Sequence, residues 1–185
     1  MNECPVGYIY QTERIRVRGL LPCDLDGNYP HWFNDLEVCR YNAHGVYPAT
    51  RAEMENFIHS LTGDRSRIVW AVIEQSSNTH IGNVSLQNIN WIYRSAEFAV
   101  IMGEKQYWGK GYASEAANLL LTHGFKKLNL HRIYCGTALT NRGMCKLAES
   151  LKMTREGVRR QALFLNGAYV DLVEYGVLRD EFFAA

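Results

Sequence analysis

Several things are scarce in this 185-residue chain, and each scarcity excludes something. Its five cysteines, Cys4, Cys23, Cys39, Cys135 and Cys145, are odd in number and scattered, with no CxxC pair. That pattern speaks against a disulfide framework and a zinc site, and predicts a reducing compartment, the cytoplasm. Charge of one sign is lacking: 20 Lys and Arg oppose 19 Asp and Glu, for a net charge of +1. There is no electrostatic case for nucleic acid or an anionic membrane surface. No apolar run approaches the roughly 20 residues of a membrane span, and no basic segment followed by an apolar stretch opens the chain. Repeats, low-complexity tracts and Pro/Gly/Ser linkers are absent, so residues 1–185 are expected to form one domain.

What is present reads as an ordinary globular protein, with 47% hydrophobic and 21% charged residues. Residues 13–20 alternate Ile15, Val17 and Leu20 with Arg14, Arg16 and Arg18, a first strand with one charged face. Residues 22–47 are irregular, with short helices expected around Leu25 and over 36–41. Thr50 followed by Glu53 is a capping box, predicting a helix to about residue 61. Residues 68–74 form a buried strand, residues 80–87 pair back after turn chemistry at 76–79, and a second hairpin leads into a strand over 97–102. A helix is predicted over 113–127, a short strand over 132–137 and a helix over 141–151. Asn166-Gly167 then joins two strands in a hairpin. Antiparallel strands, then strand–helix–strand–helix, then a hairpin describe a mixed α+β sheet with helices on its faces.

The most informative stretch is Gln106-Tyr107-Trp108-Gly109-Lys110-Gly111-Tyr112-Ala113, between a strand and a helix N-terminus. Glycines admit a ligand close to the backbone, and the unpaired N–H groups and positive dipole end of the helix attract an anion. The P-loop pattern fails: five residues separate Gly103 from Gly109, and Gly111 stands where Ser or Thr should follow Lys110. A dinucleotide fingerprint fails too, since it should close the first βαβ unit of a chain.

Gln-x-x-Gly-x-Gly/Ala resembles the pyrophosphate loop of the GNAT superfamily of acetyl-CoA-dependent N-acetyltransferases. The resemblance runs from about Glu13 to Phe182. Trp-Gly-Lys-Gly-Tyr-Ala-Ser-Glu-Ala is similar to the branch of ribosomal-protein, spermidine and nucleotide-sugar acetyltransferases. It implies a mostly antiparallel, twisted sheet of about seven strands flanked by about four helices. The implied cosubstrate is acetyl-CoA, with no metal. Backbone amides of Gln106, Trp108, Gly109, Lys110, Gly111, Tyr112 and Ala113 would bind its pyrophosphate. Backbone groups at Val100, Ile101 and Met102 would pair with the pantetheine arm. The Lys110 side chain adds a charge or is simply solvated. Asn141 would contact pantetheine or an ordered water, or serve as an ordinary N-cap. Lys146 would reach the 3′-phosphate or lie exposed on its helix.

Glu97, a carboxylate inside a strand, is the expected general base; the competing role is an ion pair with an arginine such as Arg94. Glu115 is expected to serve the helix dipole. The family's proton donors fall at Met144 and Ala148, which cannot donate, leaving Tyr134, Cys145 or solvent. Trp32, Asn34, Tyr47, Trp91 and Tyr93 are the candidate acceptor contacts, since rings with a few polar groups suit a nucleotide-linked amino sugar. A protein N-terminal or lysine amine, a polyamine, or a non-catalytic acyl-CoA-binding module are the alternatives. A homodimer, through a sheet edge or Phe182-Phe183, stays open.

Overall fold

The computed structural model describes residues 7–184. Cys4 lies outside them. The strands are β1 (Tyr10–Gln11), β2 (Ile15–Gly19), β3 (Ile68–Glu74), β4 (Thr79–Asn90), β5 (Ser95–Met102), β6 (Arg132–Ala138), β7 (Thr154–Leu165) and β8 (Ala168–Leu178). They form one sheet in the order β1-β2-β3-β4-β5-β6-β8-β7. Every pairing is antiparallel except β5 with β6. The helices are α1 (Tyr29–Trp32), α2 (Arg51–Ser60), α3 (Tyr112–Lys126), α4 (Arg142–Ser150) and α5 (Arg179–Phe183). This is the mixed α+β architecture expected.

Local chemistry explains most boundaries. Thr50 and Glu53 close the capping box that starts α2. Asn166 and Gly167 both take positive φ, 51° and 81°, as the two-residue hairpin turn between β7 and β8 requires. β3 is apolar from Ile68 to Ile73 because both faces are covered. Trp70 and Val72 join the larger core under α3, while Ala71 and Ile73 join a smaller one with Leu25, Tyr29, Trp32, Met54 and Ile58. α3 buries Ala116, Ala117, Leu120, Leu121 and Phe125 on one face, and Gly124 brings it within van der Waals reach of Leu86 and Ile133. Phe182 and Phe183 pack back on Phe125, at ring separations of 5.3 and 6.0 Å. The terminal aromatic pair therefore serves the chain's own core.

Several expectations need correction. Residues 36–41 are turns, and the helix in that region is α1. β2 is the second strand, and its arginines do not form a uniformly solvated face. Arg18 is buried, with its two terminal nitrogens 2.8 and 2.6 Å from the Asp24 oxygens. Cys39, Cys135 and Cys145 are free thiols.

The Arg18–Asp24 pair ties β2 to the segment that carries α1. Burial alone would raise the Asp24 carboxyl; hydrogen bonds from Arg18 and His80 outweigh it and hold the group well below the usual carboxylate range. A depressed folded pKa contributes stability that is present above the unfolded value and lost as pH falls through the folded one. Asp24→Asn, which leaves a buried guanidinium without its counter-charge, is predicted to cost about 3–5 kcal/mol in urea denaturation at neutral pH. The deficit should shrink in strong acid.

Candidate active site

β5 and β6 are paired only over Ser95↔Arg132, Ala96↔Ile133 and Glu97↔Tyr134. Beyond Glu97 they part: β5 continues to pair with β4 as far as Met102, and β6 with β8 as far as Ala138. A wedge opens between two strands of one sheet, with Glu97 and Tyr134 at its vertex. The N–H of Gly103 bonds the carbonyl of Ile81 at 3.0 Å, so alternation along the ladder turns Ile101 toward β4. Val100 and Met102 face the wedge. The Met102 carbonyl accepts the Trp108 indole N–H at 2.7 Å. Of the three expected pantetheine contacts, Val100 thus keeps both backbone groups open to the gap, Met102 has its carbonyl occupied, and Ile101 serves the sheet.

The pyrophosphate loop follows at the wide end. Gln106 lies in a single 3-10 turn (Lys105–Tyr107), and the Trp108 N–H closes that turn on the Lys105 carbonyl at 3.0 Å. The Trp108 amide is therefore engaged internally. Gly109 and Gly111 take φ of 71° and 84°, and Gly111 is the left-handed N-cap of α3. The N–H groups of residues 109–113 crowd the start of a 15-residue helix, which suits a diphosphate. A Cβ on Gly109 would meet nothing within 4 Å, leaving room for a ligand over the backbone. These features fit CoA on both counts, an open strand edge for the amide-bearing arm and an anion cradle at its far end. Lys110 is exposed, its ammonium 6.0 Å from the Tyr107 ring, and Lys146 is exposed on α4.

Asn141 caps α4: its Oδ1 accepts from the Met144 N–H at 3.2 Å, and its Nδ2 donates to Thr137 Oγ1 at 3.1 Å. Both ends of the amide are engaged, so its role here is to hold α4 against β6. Ala148 is fully buried and Met144 packs on the core. Glu97 is half-buried and accepts from Asn88 Nδ2 at 2.7 Å. The anticipated pairing with Arg94 does not form; that residue sits in the β4–β5 turn with φ 50°. Burial, and then the adjacent Glu97 carboxylate, push the Tyr134 phenol above its ordinary value. Burial also carries Cys135 to about 12. Tyr175 is pushed to about 12 by burial and its hydrogen bond with Cys145.

The five acceptor candidates do not converge. Trp32 is 3% exposed, with its indole against Gly103 and its N–H on Glu104 Oε1 at 3.0 Å. Asn34 bridges both backbone groups of Ala49 at 2.9 Å. These two residues shape the wall and leave little for a ligand. Tyr47 is 80% exposed. Trp91 and Tyr93 occupy the β4–β5 turn, at the opposite end of β5 from Gly103, a strand length of roughly 25 Å away. His80 is inside the α1 side of the fold, stacked on Tyr29 at 5.4 Å.

Two groups escaped the sequence reading. Lys105, at the corner between β5 and the loop, lies 2.8 Å from Asp35 and 2.7 Å from Glu37. Together with Trp32–Glu104 it pins the α1 segment to the loop. Arg14 reaches the first turn of α3, where Glu115 accepts from it and from Thr12. No local pattern marks either residue, since their partners lie 68 and 101 positions away. Among the described residues no His, Cys, Asp and Glu cluster is placed to hold a metal, and no helix is long and apolar enough to cross a membrane.

Gly109→Asp would set a carboxylate at the anion cradle; its Cβ meets nothing within 4 Å, while the left-handed φ costs a non-glycine residue about 1–2 kcal/mol. It is predicted to abolish CoA binding in calorimetry while the folded circular-dichroism spectrum persists.

Comparison with known proteins agrees with this geometry. The acetyltransferase (GNAT) domain family matches residues 14–154. The spermidine N(1)-acetyltransferase of Vibrio cholerae is 36% identical over 111 residues, 60% of this chain and 64% of that enzyme. The spermidine N(1)-acetyltransferase of Escherichia coli K12 is 29% identical over 171 residues, 92% of this chain and 89% of that one. The crystal structure of the Vibrio cholerae enzyme in complex with CoA and spermine superposes with a TM-score of 0.85 at 28% identity, covering 94% of this chain and all of that one. These relatives are spermidine enzymes, which does not support a nucleotide-linked acceptor. With its open strand edge, its glycine-rich cradle and its match over residues 14–154, the chain belongs to the GNAT family of acetyl-CoA-dependent N-acetyltransferases and is an acyltransferase.

Proposed function

We propose that the protein acetylates a primary amine of a polyamine such as spermidine, by direct attack in a ternary complex. The observation that carries this reading is the acid–base character of the wedge. Glu97 stands at the vertex with Asn88 as its hydrogen-bond partner, and among the described residues no arginine or lysine forms an ion pair with it. A carboxylate so placed attracts a cationic amine and can take its proton. An acceptor carrying phosphates would want converging basic residues instead. Of the candidates Arg40, Arg51, Arg94, Arg159 and Arg160, three are engaged elsewhere: Arg51 by Asp26 and Glu55, Arg159 by Glu174, and Arg40 over Tyr41. The similarity to spermidine acetyltransferases supports the same choice.

Acetyl-CoA supplies an activated acyl group on a stable leaving thiolate. In our reading the N–H groups of residues 109–113 hold its diphosphate, and the Val100 N–H polarises the thioester carbonyl. Glu97 removes the ammonium proton, the neutral amine then forms the C–N bond as C–S breaks, and the second amine proton leaves through solvent, which restores the Tyr134 phenol. Tyr134, kept protonated by burial and by Glu97, stands at the same vertex and offers the thiolate a proton in place of the side chains missing at Met144 and Ala148. Asn141 and Lys146 act on the cosubstrate only through the position of α4. We place the reaction in the cytoplasm, where acetyl-CoA is available. We also infer self-association through β7, the last strand of the sheet, whose outer edge is exposed along most of its length.

Thiol release from acetyl-CoA should be tested with spermidine, spermine, N-terminal peptides and nucleotide-linked amino sugars. Release with the polyamines alone is predicted. Release with peptides alone would transfer the assignment to protein amines. Glu97→Gln should lower kcat at neutral pH by on the order of a hundredfold or more and leave CoA affinity unchanged. Unchanged turnover removes Glu97 from the mechanism.

A further inference from the structure

Arg14 stands just before β2, with its own carbonyl held by the Gln75 N–H at 2.8 Å. Its side chain crosses to the loop that precedes α3. Nε donates to Glu115 Oε2 at 2.8 Å, Nη2 donates to the same oxygen, and Nη1 donates to the backbone carbonyl of Lys110 at 2.9 Å. The guanidinium carbon lies 4.7 Å from the centre of the Tyr112 ring. Nη2 is 3.5 Å from where a Cβ on Gly111 would stand. Glu115 is fixed in turn by the Thr12 hydroxyl on its other oxygen. Three donor bonds to two acceptors in one loop make a rigid clamp.

The bond to Lys110 is the informative one. In a trans peptide the C=O and the following N–H point in opposite directions. Holding the Lys110 carbonyl toward Arg14 therefore aims the Gly111 N–H the other way, out of the loop. The unit joins Lys110 to Gly111, and Gly111, at a left-handed φ of 84°, is the side on which rotation of this peptide plane meets least resistance. A flipped unit would present a carbonyl oxygen where a diphosphate needs a donor.

We propose that Arg14 is a positioning residue of the acetyl-CoA site, locking the Lys110–Gly111 peptide so that its N–H faces the cosubstrate's diphosphate. Glu115 acts one step further back, by aiming Arg14. The proposal rests on the acetyl-CoA site described above and not on the identity of the amine.

The test separates the diphosphate from the rest of the cosubstrate. CoA affinity is measured by calorimetry, and kcat/KM is compared between acetyl-CoA and S-acetylpantetheine, which lacks the diphosphate, with spermidine as acceptor. Arg14→Ala should raise the CoA Kd on the order of tenfold or more and lower kcat/KM for acetyl-CoA in proportion, with S-acetylpantetheine unaffected. Arg14→Lys should recover part of the loss, because an ammonium can reach the Lys110 carbonyl but cannot also engage Glu115 side-on. Glu115→Gln, which keeps the Arg14–Lys110 bond, should lose less than Arg14→Ala. Wild-type CoA affinity in Arg14→Ala would overturn the proposal. So would equal losses on both donors, which would mark Arg14 as a support of the fold alone. Should Arg14→Ala not fold, Arg14→Lys and Glu115→Gln decide by the same ranking. If no amine releases thiol, the polyamine assignment fails and the calorimetric comparison still decides for Arg14.

Discussion

A parallel ladder that stops after three residue pairs leaves backbone donors and acceptors along both of its edges, and such groups are costly wherever they are buried without partners. β5 and β6 have this defect at the centre of the sheet, where neighbouring strands would ordinarily pair along their length. The consequences are visible on both sides of the gap. Met102 satisfies its carbonyl with the Trp108 indole, while Val100 stays open to the wedge. β4, β5's other neighbour, carries an irregularity between Gln87 and Asn90, beside the level of Glu97. Asn88 at that irregularity takes φ 53° and aims its amide at the Glu97 carboxylate. The unfinished ladder thus leaves a slot shaped for an extended, amide-bearing arm, with the Glu97 carboxylate at its closed end.

The open end has no sheet to hold it, so it is held by side chains from the N-terminal part of the chain. On one side Trp32 lies on Gly103 and bonds Glu104, and Lys105 is caught between Asp35 and Glu37. On the other, Arg14 and Thr12 grip Glu115 and the Lys110 carbonyl. The loop is gripped between two anchors that lie far from it in sequence. Gly103 has no freedom to change: an added Cβ would overlap the Trp32 ring. The same arrangement couples residues 32–37 to the glycine-rich loop through the corner at residues 103–105.

Elements stabilised by their own sequence were legible in advance. The Thr50–Glu53 capping box, the Asn166-Gly167 turn, the doubly buried β3 and the glycines of the pyrophosphate loop each carry their geometry locally. A carboxylate within a strand requires an unusual setting, and Glu97 has one at the point where β5 and β6 part. In residues 22–47 the short helix at Leu25 was legible, but the shape of 28–47 was not, because it comes from Asn34–Ala49 and the contacts with residues 103–105 rather than from any periodicity. The acceptor candidates were chosen by residue type, and the sheet separates them: Trp32 is interior and Tyr93 lies on a distant turn. Arg14 looked like one more charged residue of an alternating strand, and only the fold brings it to α3.

The central claim is that the wedge between β5 and β6, with the loop at its mouth, is the acetyl-CoA site. The most direct measurement is the change in backbone amide resonances of the isotopically labelled protein on titration with CoA. The account predicts shifts concentrated at Val100, at residues 109–113 and at the start of α4, with Trp91 and Tyr93 unmoved. Shifts clustered around the β4–β5 turn, or none at residues 109–113 at saturating CoA, would contradict it.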